Sequence, residues 1–153
     1  MRVLLQRVKR SAVQVGEETV ASIGSGVLLF VAFRTGDKDA DLEWMAEKVV
    51  HLRIFGDAAG KMNRSLLEVG GEALAVSQFT LYGDARKGRR PSFDAAAPAA
   101  EARVLFEKFV DKLDSHGIIA ASGRFQAVMQ VELLNDGPVT ILLDSPAAGL
   151  AAG

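Results

Sequence analysis

Residues 27–52 have the sequence VLLFVAFRTGDKDADLEWMAEKVVHL, in which a continuous apolar run is followed by apolar residues at helical spacing. The first part, Val27 to Phe33, is an unbroken apolar run. Its length fits a buried strand and falls far short of the ~18 residues that a membrane helix needs. From Asp37 onward the apolar residues recur at helical spacing, at Leu42, Met45, Ala46, Val49, Val50 and Leu52. Acids crowd the start of this helix, where its dipole favours negative charge: Asp37, Asp39, Asp41 and Glu43. The segment therefore predicts a strand followed by a helix.

The flanking sequence adds more strands and one more helix. On the N-terminal side, Val13 and Val15 lead to a turn at Gly16-Glu17, and Thr19 to Ile23 returns as a strand. On the C-terminal side, Ala73 to Leu81 is predicted as a strand that enters a loop rich in glycine and arginine. A second helix follows Pro98 and ends at His116-Gly117, with the apolar stripe Leu105, Phe106, Phe109, Val110 and Leu113.

The last part of the chain again has strand character. Ile118 to Ala121 is apolar, and alternation continues through Phe125, Ala127, Met129, Val131 and Leu133. Asn135-Asp136-Gly137-Pro138 is a strong turn signal, and Val139 to Leu143 is the last predicted strand. We expect one α/β domain over residues 1–145, built as a curled, barrel-like mixed sheet packed by two main helices. Residues 146–153 are predicted to be a flexible Ala/Gly-rich tail.

Composition excludes several protein classes. A chain of 153 residues is about one domain long, and 49% hydrophobic with 24% charged residues is ordinary for a globular protein. The absence of cysteine excludes disulfides, thiol catalysis and cysteine-bound metal, and suits a reducing compartment. The first residues lack the apolar core of a signal peptide. We expect a cytoplasmic protein with no membrane partner.

The inventory of reactive side chains is short. His51 lies at the apolar end of the first predicted helix and His116 at the end of the second, so structural or capping roles are favoured for both. Neither a Ser-His-Asp triad nor a Cys-His pair can be assembled. No cluster of His, Asp and Glu has the spacing of metal ligands. We therefore expect neither a metal nor a cofactor.

Three segments each allow two interpretations. Ser77-Gln78-Phe79-Thr80-Leu81 offers hydroxyls, an amide and backbone N–H donors for a site, or is a strand with solvated hydroxyls. Arg86-Lys87-Gly88-Arg89-Arg90-Pro91 carries four cations in a chain of net charge −1. It binds nucleic-acid phosphates or is a solvated charge run. Asn135 to Thr140 is a functional loop or a hairpin turn.

Taken together, the motifs resemble the D-aminoacyl-tRNA deacylase family over essentially the whole domain. Each motif is weak alone, but their joint occurrence in this order is specific. They are Gln6-Arg7-Val8, Leu52-Arg53-Ile54-Phe55, Gly60-Lys61-Met62-Asn63, Ser77-Gln78-Phe79-Thr80-Leu81-Tyr82-Gly83, Lys87-Gly88-Arg89-Arg90-Pro91-Ser92-Phe93 and Asn135-Asp136-Gly137-Pro138-Val139-Thr140. The resemblance implies the D-aminoacyl-tRNA deacylase-like fold. It also implies hydrolysis of the ester between a D-amino acid and the terminal adenosine of tRNA, and a homodimer with sites at the subunit interface.

The resemblance also assigns roles to residues. Ser77 and Gln78 would line the site, while the backbone N–H groups of Phe79 and Thr80 would stabilise an oxyanion. Phe125 and Met129 are plausible pocket residues. Gly137 and Pro138, joined by a cis peptide bond, would enter the neighbouring subunit's site and reject L-amino acids, with Arg7 bracing their loop or forming a simple salt bridge. The predicted tRNA contacts are Arg86, Lys87, Arg89 and Arg90.

These assignments lead to a mechanism and leave two rivals. The 2′-hydroxyl of the terminal adenosine would assist the attacking water, Thr80 would not be a covalent nucleophile, and glycyl-tRNA would be a potential substrate. tRNA is the expected partner, and DNA is not. One rival is a hydrolase of small esters that uses Thr80 as nucleophile. The other is a non-catalytic tRNA-binding module.

Overall fold

The longest strands of the protein run beside each other and organise its sheet. The computed structural model describes residues 1–146. Its strands are β1 (Arg2–Val15), β2 (Glu18–Ile23), β3 (Gly26–Ala32), β4 (Phe55–Gly56), β5 (Met62–Arg64), β6 (Glu72–Ser77), β7 (Ala120–Ser122) and β8 (Gln130–Asp144). Two α-helices, α1 (Asp39–His51) and α2 (Ala99–Ser115), and a 3-10 helix (Phe79–Tyr82) complete the described chain.

The main sheet is mixed and curls around β1. Six strands take part, in the order β2-β1-β3-β6-β7, with β8 paired to β1 off this path. β1 is antiparallel to β2, β3 and β8, whereas β3, β6 and β7 are parallel. The first half of β1 pairs with β3 and its second half with β2, so one strand spans both parts of the sheet. The result is the predicted barrel-like α/β fold.

The core lies between this sheet and the two helices. β3 is buried on both faces, which explains why its sequence is continuously apolar rather than alternating. Leu29 and Val31 face α1 and α2, while Leu28 packs in a second cluster on the other face of the sheet. The helices contribute Leu42, Met45, Val49, Phe106, Phe109 and Leu113 to the larger cluster. Burying each such side chain stabilises the fold by about 1.5–3 kcal/mol.

The start of β3 approaches β6 so closely that only glycine fits there. A Cβ atom built on Gly26 would lie 1.9 Å from the backbone oxygen of Glu72. The glycine at the start of β3 thus allows the parallel pairing of β3 with β6.

Both predicted helices are confirmed. α1 begins after Lys38, whose backbone N–H donates to the Asp41 carboxylate at 2.9 Å. His116 forms the C-terminal cap of α2, and its ring Nε2–H donates a hydrogen bond to the carboxylate of Glu43 of α1 at 2.8 Å. The ring of His51 lies 6.5 Å from that of His116. Both histidines therefore sit at the contact between the helices.

One predicted strand ends earlier and another begins later than the sequence suggested. β6 stops at Ser77, and the expected continuation to Leu81 is wrong because the chain turns into the 3-10 helix. The backbone N–H of Leu81 donates to the oxygen of Gln78 at 3.2 Å. The alternation from Phe125 to Met129 is not a strand either. A turn, closed by the N–H of Ala127 to the oxygen of Arg124 at 3.2 Å, precedes β8.

Of the two interpretations left open for Asn135 to Thr140, the hairpin turn is wrong. These residues lie inside β8, which stays paired with β1 on both sides of them. Gln6 pairs with Thr140 and Val8 with Asn135, so the intervening residues of β8 bulge out opposite Arg7. The Asn135 side chain closes this bulge by donating to the backbone oxygens of Arg7 and Val139 at 2.9 and 3.0 Å.

Two further sequence expectations concern the ends of the fold. The predicted tail, residues 146–153, lies outside the described residues apart from Pro146. None of the helices within residues 1–146 has the length and hydropathy to cross a membrane.

The buried ion pair of Asp37 yields a prediction about stability. The Met1 ammonium donates to Asp37 at 2.7 Å and to the Ser145 hydroxyl at 2.6 Å, and the two charged groups are 0% and 1% exposed. We expect Asp37→Asn to lower the free energy of unfolding by about 3–5 kcal/mol, because it leaves a buried charge without its counter-ion. Urea unfolding measures this. Asp39→Asn, which removes an exposed carboxylate paired with Lys108, is the control and should change little. Equal effects of the two variants would contradict the prediction.

Candidate active site

A pocket of about 550 Å³ opens where β6 ends. Its walls are the 3-10 helix, the segment before α2, the first turn of α2, and the turn before β8. Apolar side chains dominate the walls, and the polar ones are Ser77, Gln78 and Gln126. The aromatic and large apolar members are Phe79, Phe93, Phe125 and Met129. The structure therefore brings together five residues predicted from the sequence: Ser77, Gln78, Phe79, Phe125 and Met129.

The carboxyl end of β6 shapes one wall. The N–H of Gln78 donates to Val31 of β3 at 2.8 Å, after which the chain leaves the sheet. Phe79 is 54% exposed and packs edge-on against Phe93, with ring centroids 5.2 Å apart. Sequence reasoning did not select Phe93 as a pocket residue. It lies beyond the basic loop, where neither strand nor helix periodicity marks it.

Thr80 lies beside the pocket rather than in its wall. Its hydroxyl accepts a hydrogen bond from the Gln78 side-chain amide. Within residues 1–146, no acceptor takes up the backbone N–H of Phe79 or of Thr80. Two adjacent donors at a pocket edge are the groups that an oxyanion needs. The role predicted for these N–H groups remains a prediction.

The pocket walls carry no ionisable side chain among the described residues. Tyr82, at the end of the 3-10 helix, has its pKa raised to about 12 by burial and by the neighbouring negative charge of Asp37. Its hydroxyl is therefore protonated at neutral pH and unsuited to act as a base. Both histidines lie between the helices, away from the pocket. These walls therefore supply no general base.

The opposite wall is the turn before β8. Phe125 packs on Phe106 of α2 with centroids 6.2 Å apart, and the guanidinium of Arg103 lies 4.9 Å from its centroid. Arg103 also donates to the side-chain oxygen of Gln126 at 3.2 Å. The φ angle of Gln126 is +60°, a conformation that favours glycine. Because glutamine is not typical of that conformation, the sequence carried no signal for this turn.

Gly137 and Pro138 are exposed and do not line the pocket of their own chain. The peptide bond between them is cis, and Gly137 has a φ of +129°. Arg7 holds the bulge: its guanidinium donates to the backbone oxygen of Asp136 at 3.1 Å, approaches the Asp136 carboxylate at 3.3 Å and donates to Ile54. A Cβ atom on Gly137 would lie 2.9 Å from this guanidinium. Arg7 thus makes both contacts left open by the sequence, a brace and a salt bridge.

The basic loop contains one paired cation. Arg86 donates to Asp84 through several hydrogen bonds of 2.5–3.0 Å, and this pairing lowers the pKa of Asp84 to about 2. Lys87, Arg89 and Arg90 are exposed and form no ion pair with any acid in the described chain. Gly88, with φ of +70°, forms the tip. Three of the four predicted cations are therefore available to an anionic partner.

The described residues contain no group of three or more His, Asp and Glu side chains placed to hold a metal ion.

The sequence of the chain matches known proteins over nearly its whole length. A family model described as D-Tyr-tRNA(Tyr) deacylase matches residues 4–144. The D-aminoacyl-tRNA deacylase of Thermomicrobium roseum is 62% identical over 145 residues, covering 95% of this chain and 94% of that relative. The D-aminoacyl-tRNA deacylase of Shouchella clausii is 52% identical, and the alignment covers 95% of this chain and 99% of that relative.

Two solved structures share the fold. One, described as c-Myc DNA unwinding element binding protein, has a TM-score of 0.91 at 39% identity and covers 96% of this chain and 100% of its own. The other, described as a probable eukaryotic D-amino acid tRNA deacylase, has a TM-score of 0.80 and covers 93% and 97%. At 22% identity the second likeness concerns the fold alone.

The environment of Tyr82 gives a prediction for alkaline pH. Tyr82 is the single tyrosine of the chain, so the absorbance of phenolate reports on it alone. We expect a titration midpoint near pH 12 in the folded protein and ~10 in the urea-unfolded chain. Since the unfolded chain loses this proton first, the stabilising contribution is complete below pH ~10 and declines as pH rises towards 12. Coincident folded and unfolded titrations would contradict the assignment.

Proposed function

Since this chain belongs to the D-Tyr-tRNA(Tyr) deacylase family, hydrolases that act on the aminoacyl-tRNA ester bond, we propose that it removes D-amino acids from tRNA at a site built from two subunits. The pocket beside Phe79 would bind the ester end of the substrate. The bulge of a second subunit would inspect the configuration at the α-carbon. The observation that carries this proposal is a pocket with free backbone donors and no ionisable wall.

The chemistry of such a pocket differs from that of a triad hydrolase. Hydrolysis needs a water made nucleophilic and an oxyanion made stable. The unoccupied N–H groups of Phe79 and Thr80 suit the oxyanion. Because the pocket walls offer no base, the 2′-hydroxyl of the terminal adenosine, which neighbours the ester, would orient or activate the water. The 2′-hydroxyl would accept the proton of the water while it passes its own proton to the departing 3′-oxygen, and the protein would contribute position and electrostatics.

Backbone atoms of the bulge, rather than side chains, would exclude L-amino acids. D- and L-amino acids differ only in which direction at the α-carbon holds hydrogen and which holds the side chain. A rigid wall in the L direction excludes every L side chain by contact, while a D substrate presents hydrogen there. Gly137 lacks a Cβ, so its backbone can approach the α-carbon closely. Such a wall cannot exclude glycine, which has no side chain. Glycyl-tRNA should therefore also be cleaved.

A second subunit is required because Gly137 and Pro138 do not reach the pocket of their own chain. They lie on β8, which among residues 1–146 pairs with β1 on one side and with no strand on the other. The exposed face of β8 carries Leu134 and Leu142, which are 47% and 53% exposed. Apolar residues beside an unpaired strand are typical of a surface that another chain covers. We therefore place the homodimer contact at β8, so that each bulge enters the other subunit's pocket.

The structure gives less support to a threonine-nucleophile hydrolase and to a passive RNA-binding module. A threonine nucleophile needs a base, and the hydroxyl of Thr80 instead accepts from Gln78. A passive RNA-binding module explains the basic loop but gives no use for the free donors at the pocket. The cytosol, where tRNA is used in translation, remains the predicted compartment.

Subunit complementation tests the composite site. Gly137→Ala should displace the bulge, because its Cβ would collide with Arg7 and Val139, and Ala99→Trp should fill the pocket from the exposed start of α2. Each variant alone should be inactive on D-tyrosyl-tRNA. When the two are co-expressed, half of the dimers are mixed and each holds one intact site, giving about one quarter of wild-type activity.

The matched control is the double variant Gly137→Ala, Ala99→Trp co-expressed with the Gly137→Ala variant. Every site then contains an altered bulge, so no activity should return. A co-expressed pair of single variants that stays inactive, although folded and dimeric, would contradict the site built from two subunits.

The mechanism predicts opposite results for two hydroxyls. Thr80→Ala should keep appreciable activity, because only the backbone N–H of residue 80 is used. A D-tyrosyl-tRNA ending in 2′-deoxyadenosine, with the amino acid on the 3′-oxygen, should lose most of its cleavage by the wild-type protein. Single-turnover release of labelled tyrosine measures both. Trapping of an acyl-enzyme on Thr80 would overturn the mechanism and restore the nucleophile rival.

The basic loop should bind tRNA phosphates through its free cations. Neutralising Lys87, Arg89 and Arg90 should lower the log–log salt slope of tRNA binding by roughly 0.7–0.9 for each lost contact, with the D-over-L preference kept. Arg86→Ala is the control and should change the slope least, because Asp84 already pairs with Arg86. Duplex DNA in the same titration tests whether the loop distinguishes nucleic acids. An unchanged slope in the triple variant would remove the loop from the tRNA interface.

A further inference from the structure

Gln126 stands out in the pocket wall by its backbone. It is the single non-glycine residue with a positive φ in the described part of the chain, at +60°. L-residues other than glycine, asparagine and aspartate rarely adopt this conformation, because Cβ crowds the backbone. Such a residue persists only where surrounding contacts hold it, and these positions concentrate at functional sites. Because Gln126 lines the pocket, its unusual conformation indicates a role in ligand binding.

The contact that holds Gln126 comes from α2. Arg103 donates from its guanidinium to the side-chain oxygen of Gln126 at 3.2 Å. The same guanidinium stacks over Phe125 at 4.9 Å, and Phe125 rests on Phe106 below. Arg103 therefore binds the two consecutive wall residues at once, one through a hydrogen bond and one through its face. Lysine could supply the charge but not this planar double contact.

The arrangement leaves one part of Gln126 unused. Its side-chain oxygen is occupied by Arg103, while no acceptor within residues 1–146 takes its amide N–H groups. A glutamine amide beside aromatic side chains suits the edge of a purine base, which offers ring nitrogens as acceptors. The flat aromatic walls of Phe79, Phe93 and Phe125 suit its faces.

We propose that Gln126 binds the terminal nucleoside of the aminoacyl-tRNA, and that Arg103 is a positioning residue acting through Gln126 and Phe125. This inference rests on the function proposed above and adds the residues that set the affinity for the nucleoside. The left-handed backbone of Gln126 is retained for binding at a cost in stability. Arg103 itself touches no reacting atom.

The proposal predicts that stability and substrate affinity move in opposite directions. Gln126→Gly relieves the backbone and should hold or raise the thermal unfolding midpoint. The same variant should raise KM for D-tyrosyl-tRNA by roughly three- to tenfold, the range that one hydrogen bond is worth, with kcat little changed. Gln126→Asn, whose shorter amide tolerates this φ but cannot span to Arg103, should behave like the glycine variant. A Gln126→Gly protein that is less stable and has an unchanged KM would overturn the proposal.

Arg103 variants test how the effect is transmitted. Arg103→Ala should raise KM at least as much as Gln126→Gly, because it also removes the contact with Phe125, and the double variant should raise KM no further than Arg103→Ala alone. Arg103→Lys should fail to rescue, since it keeps only the charge. Rescue by lysine, or additive effects in the double variant, would show direct attraction of phosphate and overturn the positioning role. Arg124→Ala is the matched control, an exposed arginine of the same turn paired with Glu18, and should leave KM unchanged.

Binding of adenosine and of adenosine 5′-monophosphate separates this inference from the proposed function. Both ligands should bind the Gln126→Gly and Arg103→Ala proteins more weakly by the same factor. Weakening confined to the monophosphate would overturn the proposal in favour of a phosphate contact. If the wild-type protein failed to cleave D-tyrosyl-tRNA, the proposed function would fall, while these binding ratios would still decide whether Arg103 and Gln126 hold a nucleoside.

Discussion

The antiparallel pairing of β8 with β1 is the interaction on which the rest of the structure depends. β8 follows β1 almost from end to end, and the register shifts on both sides of Val8, with the larger shift opposite Arg7. The larger shift expels Gly137 and Pro138 from the ladder, and Arg7 and Asn135 donate to the backbone oxygens of the flanking residues Asp136 and Val139. Without the ladder on both sides, the bulge would be a mobile loop. With it, two residues of backbone have a fixed position at the surface.

The same pairing separates the two halves of the proposed site. The pocket belongs to the end of β6 and to the turn that precedes β8, whereas the bulge lies farther along β8 and outside that pocket. Each half is rigid for its own reason: the pocket by the sheet and by the Arg103 contacts, the bulge by the β1 ladder. The described pocket walls carry no ionisable side chain, and the carboxylate of Asp136 in the bulge is paired with Arg7 and Lys9. Discrimination and catalysis would then rest on where backbone groups are held, which a stable sheet controls better than side-chain rotamers do.

Sequence periodicity predicted the parts of this fold that depend on burial. The helical spacing from Leu42 to Val50 and the unbroken run of β3 follow directly from which faces are covered. The end of β6 was misplaced because Ser77–Leu81 remains compatible with a strand until the chain leaves β3. Asn135–Pro138 was misread as a hairpin, since local turn chemistry does not reveal that β1 continues on both sides. The site residues Ser77, Gln78, Phe79, Phe125 and Met129 came from family resemblance. Gln126, Arg103 and Phe93 emerged only from three-dimensional contacts.

The most direct test of the account is the hydrolysis of D- and L-tyrosyl-tRNA, measured side by side with the wild-type protein and corrected for spontaneous ester loss. A wall that occupies the L side-chain direction predicts rapid release of D-tyrosine and release of L-tyrosine at the uncatalysed rate. Cleavage of both substrates at similar rates would contradict steric selection at the α-carbon, and cleavage of neither would contradict the proposed activity itself.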